Sequence, residues 1–222
     1  MSHWTVEVVE ETGSTNADLL ATALERPDRS VLMARHQTAG KGRLDRRWDA
    51  PPGANLLVSL LFRELPADPG ELMRRVALAA VDACASVAGV GVLLKWPNDL
   101  LVGERKLAGI LAERHQGGPV VVGIGLNVGW APEGSARLGD GIDPLDVLHG
   151  LLAAYDALPE DVAPRYRAAL STLGQTVRVE RAGGVLEGVA TDVEPDGRLV
   201  VIDACAVTHR LAAGDVVHLR TD

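Results

Sequence analysis

Cysteine is scarce in this 222-residue chain, which contains only Cys84 and Cys205. Two cysteines so far apart cannot build a disulfide framework or a cysteine-based zinc site, so we expect two reduced, buried thiols. No apolar run approaches the roughly 20 residues that span a bilayer. The first residues also lack the basic and apolar segments of a signal peptide. These absences exclude a secreted disulfide scaffold and a helical membrane protein, and they predict a cytoplasmic location.

Aromatic residues are also few, at 3%, so the core must consist mainly of valine, leucine, isoleucine and alanine. The hydrophobic fraction of 47% excludes a disordered chain. The formal net charge of −8 makes nucleic acid and anionic membranes poor candidates for partners. Lysine occurs only three times, at Lys41, Lys95 and Lys106, whereas arginine occurs 19 times.

The hydrophobic pattern predicts an α/β region followed by a small β region. Residues 4–9, 30–35, 55–62, 91–95, 100–102, 106–113 and 119–128 have the pattern of strands, and segments after residue 14 and at 68–88, 142–155 and 160–171 have the pattern of helices. Short strand-like runs separated by turns fill 176–220, which is typical of a small barrel. We therefore predict two domains, 1–173 and 174–222. The irregular alternation in the first favours a mixed or antiparallel sheet.

A long segment without periodicity, residues 35–48, concentrates positive charge among glycines. It reads RHQTAGKGRLDRRW and has a local charge of +4. Glycines allow backbone N–H groups to approach an anion, and basic side chains neutralise phosphates. The alternative from this segment alone is a solvated, arginine-rich surface loop. It matches neither the Walker A pattern nor the Rossmann fingerprint.

Four other motifs are weak when taken singly. Ser14, Thr15 and Asn16 begin a predicted helix, where hydroxyls and amides also serve as plain caps. KWPND (95–99) precedes a predicted hairpin, and KLAGILAE (106–113) is its second strand. GIGLNV (123–128) places glycines inside a strand, which often marks the close approach of a ligand or another backbone. The scattered histidines support neither a metalloprotease nor a structural zinc site, and the sequence assigns no metal ligand.

In this order and spacing, the five motifs resemble those of biotin protein ligases. The resemblance implies a class II synthetase-like catalytic domain with a mixed sheet flanked by helices, plus an SH3-like C-terminal β-barrel. It implies an enzyme that uses ATP and Mg²⁺ to convert biotin to biotinyl-5′-AMP, and then transfers biotin to a lysine of a biotin carboxyl carrier protein. The chain starts too close to the first motif for the N-terminal DNA-binding domain of the bifunctional members, so we expect a monofunctional form.

The resemblance also implies roles for individual residues. The biotin-binding set is Ser14, Thr15, Asn16, Gln37, Gly40, Lys41 and Lys106. The ATP- and adenylate-binding set is Lys41, Gly42, Arg43, Arg46, Trp48 and Asn127. Lys106 and Arg43 are the implied catalytic residues: Lys106 bridges the biotin carboxylate and the α-phosphate, and Arg43 binds phosphate. Trp48 matches the residue that stacks on adenine.

The chain departs from the family's usual loop at two positions, because Lys41 stands where an arginine is usual and Asp45 where a glycine is usual. We expect slower or less complete loop closure as a result. The main alternative is a lipoate or octanoate ligase or transferase of related fold. A non-catalytic ligand-binding protein on the same scaffold and a small nucleic-acid-binding protein are weaker alternatives. The sequence fixes neither the oligomeric state nor the acceptor carboxylase.

Overall fold

The structure is a computed structural model, and it describes residues 4–115, 117–181 and 184–219. Its first sheet has seven strands: β1 (Thr5–Thr12), β2 (Ser30–Gln37), β3 (Leu56–Phe62), β4 (Leu93–Lys95), β5 (Asp99–Val102), β6 (Arg105–Arg114) and β7 (Val120–Leu126). Their order is β1-β2-β3-β7-β6-β5-β4, and only the β1–β2 pair is parallel, the other neighbours being antiparallel. The predicted mixed sheet is therefore confirmed.

Four helices accompany this sheet: α1 (Thr15–Ala21), α2 (Gly70–Ala88), α3 (Pro144–Asp156) and α4 (Ala163–Ala169). Helices α2 and α3 pack against each other, and the large apolar core lies between them and the sheet. Helix α1 packs over β3 and β7 around a separate small cluster that includes Leu19, Leu61 and Val121. Side chains alternate between the faces of a strand, so β3 sends Leu60 to the large core and Leu61 to the small one.

A second, antiparallel sheet of five strands follows: β8 (Thr176–Arg181), β9 (Gly184–Val193), β10 (Leu199–Ile202), β11 (Thr208–Leu211) and β12 (Asp215–His218). Their order is β11-β10-β9-β8-β12. This agrees with the β structure expected after residue 174. The boundary near residue 173 stays a prediction.

Contacts from the loops around β4 and from α2 join the second sheet to the first. The indole Nε1 of Trp96 donates to the carbonyl of Gly197 at 2.9 Å. The guanidinium of Arg74, which is 5% exposed, donates to the carbonyl of Asp196 at 2.9 Å and to the carboxylate of Asp68 at 2.7 Å. Apolar residues of both sheets form one continuous core cluster. The second sheet is thus held firmly enough to contribute to a site on the first.

One expectation about the thiols is wrong. Cys84 lies buried in α2, where desolvation raises the pKa of its thiol to about 12. Cys205, in contrast, is exposed. It lies in a tight turn after β10, in which the Asp203 carboxylate accepts from the Cys205 and Val207 backbone N–H groups, so its side chain points away from the core. No helix within the described residues is both long and apolar enough to cross a membrane.

Candidate active site

A cavity of about 250 Å³ opens on the α1 face of the first sheet, beside the small apolar cluster. Along β7, Val121 closes that cluster, and Gly123 and Gly125 follow on the same face at intervals of two residues. Gly109 of β6 pairs with Gly125. Three positions on this face therefore carry no side chain, and the space that their side chains would fill becomes the floor of the cavity.

The glycine floor is required by the neighbours that lie on it. A Cβ atom at Gly123 would lie 2.2 Å from Oδ1 of Asn16, and one at Gly125 would lie 2.4 Å from Cε2 of Trp48. Both distances are shorter than any stable contact between heavy atoms. The glycines of the GIGLNV motif thus admit two of the side chains that the sequence singled out, which explains why they interrupt an otherwise apolar strand.

One end of the cavity is a pocket of hydroxyl and amide groups, which we call the head pocket; it is formed by the buried Thr15, Asn16 and Ser59 and the half-buried Gln37. The backbone N–H of Thr15 donates to Oε1 of Gln37 at 2.7 Å, and the Thr15 and Ser59 hydroxyls lie 2.7 Å apart. The Ser59 hydroxyl donates to Oδ1 of Asn16 at 2.5 Å. The buried groups of the pocket are thus hydrogen-bonded, as a preformed binding pocket requires.

Helix α1 places the first two of these residues. Ser14 is the N-cap, its hydroxyl accepting from the backbone N–H of Ala17 at 3.5 Å. Thr15 and Asn16 occupy the first turn of α1 and point at the sheet, and both are buried. The capping role and the binding role proposed for this motif are therefore compatible, because different residues of the motif supply them.

Two residues of this end escaped the sequence analysis. Ser59 is fully buried in β3, inside a run of leucines, where a lone serine was the available signal. Glu113 ends the KLAGILAE motif, and its carboxylate accepts from Nδ2 of Asn16 at 2.7 Å. Because Glu113 is four residues after Gly109 on a strand, it lies on the cavity face, a spacing that could have identified it.

The other end of the cavity is formed by residues 40–48, which we call the basic loop. The loop folds back on itself through hydrogen bonds from the Gly42 N–H to the Arg46 carbonyl at 2.7 Å and from the Trp48 N–H to the Gly40 carbonyl at 3.0 Å. A Cβ atom at Gly40 would lie 2.3 Å from the Trp48 carbonyl oxygen, so this close approach requires glycine. Gly40 thereby shapes the loop without itself lining the cavity.

The second sheet holds two arginines of the basic loop. The guanidinium of Arg43 donates to Oδ1 of Asn98 at 2.9 Å and to the carbonyl of Gly214 at 3.2 Å. The guanidinium of Arg46 forms an ion pair with Asp215. Asp215 lines the cavity together with both arginines. Gly214 and Asp215, at the start of β12, thus complete the site through contacts between residues 171 and 169 positions apart, which no local pattern indicated.

Lys106 lies between the two ends of the cavity. Its ammonium is 2.7 Å from the Asp99 carboxylate and 5.6 Å from the centre of the Trp48 ring. The hairpin of β5 and β6 creates this pairing, since Asp99 begins β5 and Lys106 lies near the start of β6. The KWPND and KLAGILAE motifs therefore meet at one ion pair. Lys95 does not line the cavity.

Trp48 covers part of the glycine floor. Its indole would contact a Cβ atom at Gly125 or at Gly109, and its Nε1 is buried without a hydrogen-bond partner among the described residues. A buried indole N–H without an acceptor costs on the order of 1–3 kcal/mol. This position is therefore one that a ligand can displace, because the indole gains a partner when it moves.

Asn127 follows β7 and is held by Asn55, a third residue that the sequence analysis did not find. Nδ2 of Asn55 donates to Oδ1 of Asn127 at 3.2 Å, and Oδ1 of Asn55 accepts from the N–H groups of Val128 and Trp130 at 3.0 and 3.2 Å. Nδ2 of Asn127 donates to the carbonyl of Ala136 at 2.9 Å. These bonds secure the segment after β7 against the cavity.

The cavity thus collects nearly all of the predicted site residues: Ser14, Thr15, Asn16, Gln37, Lys41, Gly42, Arg43, Arg46, Trp48, Lys106 and Asn127 line it. Gly40 lies directly behind the lining. Their assigned roles stay predictions. In the described parts of the chain, no group of three or more histidine, cysteine, aspartate or glutamate side chains is arranged to hold a metal ion.

Comparison with known proteins follows the same division of the chain. The model of the biotin/lipoate A/B protein ligase family matches residues 7–129, and that of the biotin protein ligase C terminal domain matches residues 172–219. A biotin–[acetyl-CoA-carboxylase] ligase of Mycobacterium tuberculosis is 41% identical, over 97% of this chain and 89% of that protein. One of Paracoccus denitrificans is 30% identical, over 87% of this chain and 92% of that protein.

Solved structures share the fold. The chain is similar to the biotin protein ligase from Aquifex aeolicus in complex with biotin and ATP, with a TM-score of 0.85 and 23% identity. The match covers 98% of this chain and 99% of that one. The two sheets of the described residues are therefore arranged as in that protein.

Proposed function

The chain belongs to the biotin protein ligase family, and we propose on that basis how its cavity performs ATP-dependent ligation of biotin. The activity is the formation of biotinyl-5′-AMP from biotin and ATP, followed by transfer of the biotinyl group to a protein lysine. The observation that carries the proposal is the position of the Lys106 ammonium, between a neutral hydrogen-bonding pocket and a loop rich in cations.

The first step joins two anions. An oxygen of the biotin carboxylate attacks the α-phosphorus of ATP, the bond to the β-phosphate oxygen breaks, and pyrophosphate leaves. The carboxylate is itself the nucleophile, so no activated serine or cysteine is needed. Fixed cations reduce the repulsion between the anions and stabilise charge in the transition state. We assign Lys106 to the carboxylate and α-phosphate, with Arg43 on the phosphates, as the two catalytic residues.

In the second step the amine of an acceptor lysine attacks the acyl carbon of the mixed anhydride, and AMP leaves. Water would destroy this anhydride, so the intermediate must be shielded until the acceptor arrives. The basic loop is suited to this task because it lines the cavity and is held by few contacts, to Asn98, Gly214 and Asp215, of which the ion pair with Asp215 is exposed.

The remaining assignments follow the two ends of the cavity. For biotin we propose the head pocket residues Thr15, Asn16 and Gln37, with Ser14, Gly40 and Lys41 supporting them. For ATP and the adenylate we propose Lys41, Gly42, Arg43, Arg46, Trp48 and Asn127. The indole of Trp48 would leave the glycine floor when biotin enters and stack on adenine, a move supported by its unpaired Nε1.

Magnesium is part of the proposal as the ion that accompanies ATP and neutralises its phosphates. Mg²⁺ in such sites keeps several waters and takes phosphate oxygens plus one or two carboxylates. Asp99 lines the cavity and offers a carboxylate for this purpose, although it is paired with Lys106. The residues therefore fit an ion held chiefly by the nucleotide.

For the acceptor we propose a biotin carboxyl carrier protein or domain of an acetyl-CoA carboxylase, as in the name of the Mycobacterium relative. We keep the cytoplasmic location predicted from the sequence as part of this proposal. The contacts of Gly214 and Asp215 with the basic loop support a role for the second sheet in holding ATP or the carrier.

The test is transfer of labelled biotin to a purified carrier domain, with and without ATP. We expect labelling that depends on ATP and on the acceptor lysine, and biotin-dependent exchange of pyrophosphate into ATP. Lipoate in place of biotin should support neither reaction. Transfer of lipoate instead of biotin would support the lipoate ligase alternative, and the absence of both would refute the assignment.

A further inference from the structure

Glu113 contacts the head pocket through Asn16 without itself lining the cavity. Its carboxylate Oε2 accepts from Nδ2 of Asn16 at 2.7 Å, and that same Nδ2 donates to the Leu111 carbonyl at 3.2 Å. Among the described residues, no basic side chain forms an ion pair with Glu113. The Glu113 carboxylate therefore serves to orient the side-chain amide of Asn16.

That contact fixes the direction of every hydrogen bond that follows. With Nδ2 of Asn16 facing two acceptors, Oδ1 of Asn16 must face Ser59. An amide oxygen can only accept, so the Ser59 hydroxyl must donate to it across 2.5 Å. Ser59 has no second proton, so in the 2.7 Å contact with Thr15 the Thr15 hydroxyl must be the donor.

The single proton of the Thr15 hydroxyl is then committed to Ser59. Its 3.0 Å contact with Oε1 of Gln37 lacks a proton, and that oxygen is satisfied instead by the Thr15 backbone N–H at 2.7 Å. Thr15 lines the cavity, so toward a ligand its hydroxyl oxygen can act only as an acceptor. A hydrogen-bond donor remains available beside it, since Nε2 of Gln37 donates no hydrogen bond among the described residues.

We propose that Glu113 is a positioning residue that sets the hydrogen-bond polarity of the head pocket, through Asn16 and Ser59, so that Thr15 accepts and Gln37 donates. The inference rests on the proposed function and deepens it. An acceptor beside a donor matches a ring that has an N–H beside a C=O, as in the cyclic urea of biotin. A ring without N–H groups, such as the dithiolane of lipoate, would leave Thr15 unpaired and bind poorly.

The test uses calorimetric binding of biotin to the full chain and three variants. Glu113→Leu removes the acceptor at similar size, Glu113→Gln keeps an acceptor oxygen, and Ser59→Ala breaks the relay at its next member. Glu187→Gln, an exposed carboxylate of β9, is the matched control. We expect Glu113→Leu and Ser59→Ala each to weaken biotin binding about tenfold or more, with ATP binding changed less than about twofold.

Two further results separate positioning from a merely structural role. Glu113→Gln should retain biotin affinity within about threefold of the parent. In the Ser59→Ala background, adding Glu113→Leu should cause little further loss, because both substitutions interrupt one relay. Additive losses, or a biotin affinity of Glu113→Leu equal to that of Glu187→Gln, would overturn the proposal.

Folding of each variant is checked by circular dichroism. If Glu113→Leu does not fold, Ser59→Ala decides alone: an unchanged biotin affinity overturns the inference, and a loss of about tenfold with ATP binding intact supports it. Failure of the parent chain to transfer biotin would refute the proposed function instead. A parent that transfers biotin while the variants bind it normally refutes only the role of Glu113.

Discussion

Most polar side chains at one end of the cavity are buried, whereas most basic side chains at the other end are exposed. Thr15, Asn16 and Ser59 are 3%, 5% and 0% exposed, and each is bonded to another member of the head pocket. The side chains of Arg46 and Arg47 are 64% and 68% exposed, and their carboxylate partners are partly or largely exposed too. The head pocket is therefore suited to keeping a fixed shape, and the basic loop to exchanging its ion-pair partners.

The difference matches what each end has to recognise. A small neutral ring is selected by donors and acceptors in fixed positions, and buried polar groups supply the selectivity because leaving one unpaired is costly. The triphosphate of ATP must be bound and cleaved, and pyrophosphate must then be released, so the side chains that bind it must dissociate readily. Exposed ion pairs are worth only about 0–1 kcal/mol, so the carboxylate partners of Arg46 and Arg47 are easily exchanged for phosphates.

The largest expected effect is at the residue between the two ends. Lys106→Arg keeps the charge but replaces a compact ammonium, 2.7 Å from Asp99, with a planar fork. We expect biotin-dependent pyrophosphate exchange to fall by about a hundredfold or more, the scale seen when one transition-state contact is removed. Lys95→Arg, outside the cavity lining, is the control and should stay near the parent rate. Full activity of Lys106→Arg would show that a compact ammonium is not required at this position.

An intermediate effect should separate the fixed end from the adaptable one. Gly123→Ala and Gly125→Ala add the same methyl group to one strand, against Asn16 at 2.2 Å and against Trp48 at 2.4 Å. Asn16 is buried and anchored, so Gly123→Ala should lower the free energy of unfolding by about 1–3 kcal/mol. Trp48 lies on the basic loop and can move, so Gly125→Ala should cost clearly less.

Chemical denaturation of the two variants measures this contrast, with the midpoint and slope compared to the parent chain. Equal losses of stability would show that the basic loop is as rigid as the head pocket. A larger loss for Gly125→Ala would reverse the comparison between the two ends.

The smallest effect is expected at the contact between the loop and the second sheet. Asp215→Asn removes the carboxylate opposite Arg46, an exposed pair, so the melting temperature should hardly change. Loss of a negative charge from the cavity should favour ATP and lower its KM, by no more than about threefold. Asp192→Asn breaks the exposed pair with Arg167 away from the cavity and is the matched control. A large loss of activity in Asp215→Asn alone would show that this pair is an essential part of the site.

Much of the fold could be predicted because the local patterns are clear. The strands of the first sheet and the helices packed on it begin and end within a few residues of the segments that periodicity predicted. Periodicity is informative here because alternation and amphipathicity reflect which face of an element is buried. The exposure of Cys205 could not be predicted, because it depends on a turn closed by the Asp203 carboxylate. Whether a single residue in a short turn between strands is buried depends on the residues that surround it in the folded protein.

Site residues that belong to a sequence motif could be predicted. Residues that only the fold brings to the site could not. The amino-acid sequence by itself determined the chemical groups: hydroxyls and amides at a helix start, cations among glycines, and glycines inside a strand. Tertiary structure alone decided their partners, bringing Ser59 and Glu113 to Asn16, Asp99 to Lys106, and Asp215 of the second sheet to Arg46. Local sequence sets which groups are available and which face they occupy, whereas hydrogen-bond direction and charge pairing depend on distances between strands that are remote in the chain.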